Sequence, residues 1–192
     1  GNNAFVYGTL PVFIVRYLAE WSGQMGNLKL FGRQMSAVAD LITILLLYLS
    51  ANRLYGRRMA LLAAAFSSLA VMQIQQSHFF TTDTFAVTFM TLAVYLAVEI
   101  VASPEAPEAE PGTTPNRSAF WRSILSDRLV WFSVLFGLAY GMAVASKGNA
   151  FPLALLLPLA FSIRYLKHKQ VLSHRQTILI INALVVGGIF AI

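Results

Sequence analysis

Two long apolar runs, Met59 to Met72 and Phe85 to Ala102, are separated by only a dozen residues, and this spacing constrains the chain most. The second run carries a single charge, Glu99. Runs of that length and apolarity read as membrane-spanning helices, and so short a gap leaves room only for a tight turn. The gap is the polar island Gln73-Ile-Gln-Gln-Ser-His-Phe-Phe-Thr-Thr-Asp-Thr84. It places His78 and Asp83 beside a bilayer, where ionisable groups are costly unless they serve a purpose.

The same pattern recurs along the chain. Spans are expected at about Met35 to Leu54, Met59 to Ile74, Thr84 to Val101, Leu129 to Ala145 and Ala150 to Ile163, with a sixth beginning at Thr177. Only 11% of the 192 residues are charged and 57% are hydrophobic, against about 25% charged in soluble domains. The expected fold class is therefore all-α, a polytopic transmembrane bundle treated as one domain over 1–192. Gly1 to Trp21 is interrupted by Gly8, Thr9 and Pro11, too short a run to span, and reads as an interfacial helix starting near Pro11. Ser22 to Gln34, with three glycines, reads as a loop, and Tyr55-Gly-Arg-Arg58 as a short basic turn. The Pro- and Glu-rich segment 103–118 buries no apolar surface and reads as a flexible cytoplasmic loop. Gly137 and Gly141 form a small-xxx-small pair suited to close helix packing. Pro158 falls inside the fifth span, a feature of broken transporter helices. The chain starts at Gly1 and ends within an apolar run, so it reads as an internal fragment of a longer protein.

Charge then orients the bundle. Arg53, Arg57, Arg58, Arg117, Arg122, Arg128, Arg164, Lys167, Lys169 and Arg175 fall on one side; Arg16, Lys29, Arg33 and Lys147 fall on the other. Ten cations against four place the first set in the cytoplasm. The net charge of +6 thus reflects topology and calls for no nucleic acid partner. The sequon Asn116-Arg-Ser118 falls on the cytoplasmic side, where it is inert. Asp83 and Lys147 share the outer face of the plasma (inner) membrane.

Each ionisable candidate has two readings. Asp83, at a helix start, is either an acid placed by the helix dipole or an outward carboxylate that orients an acceptor or an attacking hydroxyl. Lys147 is either a lysine snorkelling to headgroups or a phosphate ligand at an anionic leaving group. His78 is a proton carrier or a polar interfacial tip. Arg33 shares a helix face with Asp40 seven residues on, and either the two neutralise each other or Arg33 meets a lipid phosphate. The three glutamines at 73, 75 and 76 are expected to hydrogen-bond between helices. With no cysteine and no ligand set at metal spacing, no metal or cofactor is implied, and divalent-metal dependence stays open.

Five pieces occur in a telling order: Tyr7-Gly-Thr-Leu-Pro11, Gly32-Arg-Gln-Met-Ser-Ala37, Leu54-Tyr-Gly-Arg-Arg-Met-Ala-Leu-Leu-Ala-Ala64, Gln75-Gln-Ser-His-Phe-Phe-Thr-Thr-Asp-Thr84 and Gly137-Leu-Ala-Tyr-Gly-Met-Ala-Val-Ala-Ser-Lys-Gly148. Together they resemble the bacterial branch of the dolichyl-phosphate-mannose protein mannosyltransferase-like family, of GT-C membrane fold. The aminoarabinose transferase of lipid A belongs to the same broad group. The resemblance implies an inverting transferase that moves a sugar from a polyprenyl-phosphate carrier to a protein, lipid or glycan acceptor on the extracytoplasmic face. Asp83 matches the family's acid at the start of its fourth helix, and Lys147 the lysine near the carrier phosphate. His78 and Arg33 are further substrate-binding candidates. The family's first catalytic acid, the expected general base, would precede Gly1. The competing classes are a secondary transporter and a non-catalytic membrane scaffold.

Overall fold

A computed structural model describes residues 8–104 and 128–168. Every regular element among them is helical. In order they are α1 (Leu10–Trp21), a 3-10 turn (Met25–Asn27), α2 (Leu28–Tyr55), α3 (Arg57–Ser68), α4 (Val71–Ser77), α5 (Thr82–Ala102), α6 (Arg128–Ser146), a 3-10 segment (Gly148–Leu155) and α7 (Leu156–His168). Four segments are long and apolar enough to cross a membrane: Met25–Tyr55, Thr82–Ala102, Arg128–Ser146 and Gly148–Lys167. The pair α3 and α4 makes a fifth if its bend is counted within one span. The expectations for 105–118, for the sequon and for the sixth span lie outside the described residues.

The helices pack small side inward. The buried stripe of α2 is Gly32, Ser36, Ala39, Thr43, Leu46 and Ser50, spaced three and four residues apart as a helical face requires. Its large residues Leu41, Ile42 and Leu45 point outward. On α5 the buried face mixes Ala86, Ala93 and Ala97 with Phe85, Leu96 and Ile100, while Val87 and Val94 are exposed. Lipid tails are as apolar as leucine, so helices in a bilayer associate through small residues and leave large apolar ones to the lipid. This is a multi-pass membrane protein. Gly137 and Gly141 are both buried on α6, which makes its largest interface with α5. Phe136, Leu157, Phe161 and Ile100 fill the core between α5, α6 and α7.

Polar contacts set which helix ends meet. Thr43 and Thr88 share a hydrogen bond of 2.9 Å between α2 and α5, and Thr88 also donates to the Ala39 carbonyl at 3.0 Å. Arg53, at the end of α2, pairs with Glu99 at 3.4 Å and donates to the Ala102 carbonyl at 3.3 Å. Arg164 of α7 is buried and donates to the carbonyls of Ile100, Ser103 and Pro104. The last turn of α5, whose carbonyls have no partner within the helix, is thus clasped from both sides. Arg164→Met should cost about 2–4 kcal/mol, since it strands buried acceptors. Thermal unfolding in detergent reads this, and an unchanged midpoint would show that the clasp is dispensable.

Several expectations need correction. The loop over Ser22 to Gln34 ends at Asn27: Leu28, Leu30 and Phe31 already belong to α2, which starts seven residues before the expected Met35. The turn at Tyr55 narrows to Gly56, whose φ of 83° suits glycine and ends α2 without a longer loop. The span Met59 to Ile74 is not continuous. It bends by 61° between α3 and α4, where Ala70 is extended. No glycine or proline marks this break. Ser68 donates to the Ala65 carbonyl at 2.9 Å and Ser67 to Gln73 at 2.8 Å, and such serines offer the backbone an alternative to the helix ladder. The fifth span starts as a 3-10 segment containing Pro152, and Pro158 sits in the first turn of α7. Proline is tolerated there, so Pro158 breaks nothing. Arg164 lies within α7 and is buried, not in the expected basic loop.

Helix α1 starts at Leu10 with Pro11 in its first turn, as expected. At 12 residues it is about 18 Å long, too short to span. Pro11, Val15 and Ala19 face the bundle, while Phe13, Tyr17 and Trp21 are exposed.

Candidate functional site

Asp83 stands in the first turn of α5, where free backbone N–H groups and the helix dipole favour an anion. The turn before it is anchored by Phe80. That ring packs on Gly32, where a Cβ would come within 2.9 Å of it, and meets Phe85 edge-on at 6.1 Å. Thr81 donates to Gln76 at 3.2 Å and shares a 3.0 Å hydrogen bond with Thr84. The polar island is therefore one short helix and an anchored turn, longer than the bare turn expected.

Lys147 follows directly on α6, whose C-terminal carbonyls favour a cation. Its N–H donates to Ala143 at 2.9 Å and its carbonyl accepts from Ala150 at 3.0 Å. The preceding residue is held from outside the helix: the Gly8 N–H donates to the Ser146 carbonyl at 3.0 Å. A Cβ at Gly8 would overlap the carbonyl oxygen of Ala145, so this approach requires glycine.

The two charges meet. Lys147 Nζ lies 2.7 Å from Asp83 Oδ1, across 64 residues of chain. Their side chains remain 25% and 35% exposed. The pair is partly buried, and its ammonium remains reachable by another anion from the cavity. Both residues line a cavity of about 480 Å³ with Asp40, Thr43, Ala70, Met72, Gln73, Gln76, Thr84 and Val87. That size suits a small-molecule site.

Other sequence candidates fall elsewhere. Arg33 is exposed and lines a separate recess of about 330 Å³ with Lys29 and Asn27. It does not neutralise Asp40: seven residues put them about 10 Å apart along the helix, and Asp40 Oδ1 instead accepts from Gln73 Nε2 at 2.6 Å. His78 is exposed, with Nδ1 2.7 Å from the Ile74 carbonyl oxygen at the end of its own helix, and it does not line the cavity. Of the three glutamines expected to link helices, Gln73 does so, to α2, while Gln76 bonds only the turn before α5. Asp40 is the cavity residue that sequence reasoning undervalued; its signal was a carboxylate within a span. Among the described residues no three His, Cys, Asp or Glu side chains gather as a metal site.

Residues 12–107, half of the chain, match the family model described as Dolichyl-phosphate-mannose-protein mannosyltransferase. The chain belongs to this family. It is a membrane glycosyltransferase of the mannosyltransferase kind. The matched segment contains α2 to α5, and so Asp40, Gln73 and Asp83 of the cavity, and stops before Lys147. No curated protein and no solved structure matches the chain.

Proposed function

We propose that this mannosyltransferase-family protein moves a hexose, mannose or a relative of it, from a polyprenyl-phosphate carrier to a protein, lipid or glycan acceptor, with inversion. The reaction takes place on the extracytoplasmic face of the plasma (inner) membrane, and 1–192 forms part of one transmembrane transferase domain. The observation that carries this reading is the Asp83–Lys147 pair on the cavity wall.

Breaking a sugar–phosphate bond leaves positive charge on the sugar and negative charge on the phosphate. Lys147 binds the departing phosphate and stabilises that charge as it grows. The phosphate competes with Asp83 for the ammonium, and Asp83, released, orients the acceptor hydroxyl; its oxygen bonds the anomeric carbon as the phosphate departs, and its proton passes to the general base that the family resemblance implies. Arg33, away from the cavity but exposed beside Lys29, serves the carrier or a neighbouring lipid through a phosphate contact. The exposed aromatic residues of α1 frame the entry of the polyprenyl chain. The excess of cations at the opposite end supports the outward orientation. A secondary transporter would carry its charges near the midplane on broken helices, and Asp83 and Lys147 instead lie at helix ends.

The test is loss of label from a polyprenyl-phosphate hexose supplied to the full-length protein in membranes. Asp83→Asn should slow turnover about 10- to 100-fold. Unchanged turnover would reduce Asp83 to a helix-start acid. If wild-type protein turns over no polyprenyl-phosphate sugar, the assignment of this donor class is overturned.

A further inference from the structure

The cavity holds a second carboxylate. Asp40 sits on α2, half-buried and near the level of the start of α5, where a carboxylate beside a bilayer still needs a partner. Its Oδ1 accepts from Gln73, and Oδ2 takes no hydrogen bond among the described residues. Gln73 is itself oriented. Its Oε1 accepts from Ser67, so its amide N–H groups must face Asp40. The 61° bend between α3 and α4 turns Gln73 toward α2, and Ser67 and Gln73 lie on either side of it. The break and the carboxylate thus form one unit.

We infer that Asp40, positioned by Gln73, accepts hydrogen bonds from hydroxyl groups of the transferred sugar and sets which sugar the cavity takes; this rests on the transferase reading above. An ionised carboxylate only accepts hydrogen bonds. Whatever fills the cavity beside it must bring donors. The cavity's cation, Lys147, stands with Asp83, and a ligand in the cavity can supply donors to Asp40. The hydroxyls of a sugar supply them without adding charge. Position agrees. Helices α2 and α5 run parallel, with Thr43 level with Thr88, which puts Asp40 and Asp83 within about 3 Å of the same depth. A sugar whose anomeric phosphate rests on Lys147 then extends its ring hydroxyls along the cavity toward Asp40.

The test is direct binding to the full-length protein in nanodiscs, with three probes: polyprenyl-phosphate mannose, polyprenyl-phosphate glucose and bare polyprenyl phosphate. Asp40→Asn keeps the shape of the side chain and removes its charge. It should weaken both sugar-bearing lipids about tenfold, narrow the difference between them, and leave the bare carrier within about twofold. Gln73→Leu should give the same pattern more weakly, because Asp40 remains but is no longer held. Retained binding of the bare carrier shows that each variant is folded. If both variants bind the sugar-bearing lipids like wild type, or lose all three probes equally, the assignment of Asp40 is overturned. If wild-type protein binds none of the three, the transferase reading itself fails, and the inference fails with it.

Discussion

Lys147→Met should reduce turnover of a polyprenyl-phosphate sugar by about 10²- to 10³-fold, the loss expected when a group that stabilises transition-state charge is removed. Methionine keeps most of the length of the stem and removes only the charge. The loss should fall mainly on kcat, because charge on the phosphate grows as the bond breaks. The pair is partly buried, so the thermal midpoint is measured beside turnover to separate a loss of folding from a loss of chemistry. The exchange Asp83→Lys with Lys147→Asp separates the two roles of the pair. It restores attraction across the 2.7 Å contact, yet places a carboxylate where the phosphate must rest, so activity should stay lost. Recovery in the exchanged protein would mean that the pair is only a structural clasp.

Gly8→Ala should be nearly as damaging to activity, although Gly8 touches no substrate in this scheme. A methyl group there overlaps the Ala145 carbonyl oxygen. Either the segment at Gly8 or the end of α6 must move, and the hydrogen bond from Gly8 to Ser146 is strained or lost. Lys147 is the next residue, and displacement of a reacting group by about 1 Å costs on the order of 100-fold. The cost in stability should be smaller, about 1–3 kcal/mol as for other overpacked sites. Turnover and the thermal midpoint measured on the same preparation separate the two effects. Wild-type turnover in Gly8→Ala would show that this docking does not hold the lysine in place.

Much of this protein is legible in local sequence. Hydropathy is a property of neighbouring residues, so the apolar runs placed α2, α5 and α6 to within a turn or so, except at the start of α2. The positions of Asp83 just inside a helix and of Lys147 just after one were readable for the same reason. Their shared face followed from counting spans. The break after Ser68 was not readable, because it depends on serine hydroxyls that choose between their own helix and Gln73. The clasp of Arg53 and Arg164 on the end of α5 was equally hidden. A carbonyl acceptor has no sequence signature, and Arg164 reaches it from about 60 residues away.

Asp40 shows the division most plainly. Sequence alone marks it as a carboxylate within a span and offers Arg33 as its partner, since both lie on one helical face. Tertiary structure gives it to Gln73, 33 residues away, because a bent helix brings that amide within reach while Arg33 stays two turns distant. The sequence determined where α2, α5 and α6 run, their order, and the charges carried at their ends, since each of these follows from short-range chemistry. Which polar groups meet in the cavity was decided only by packing, because hydrogen bonds and ion pairs act over a few ångströms and the fold alone brings distant residues that close.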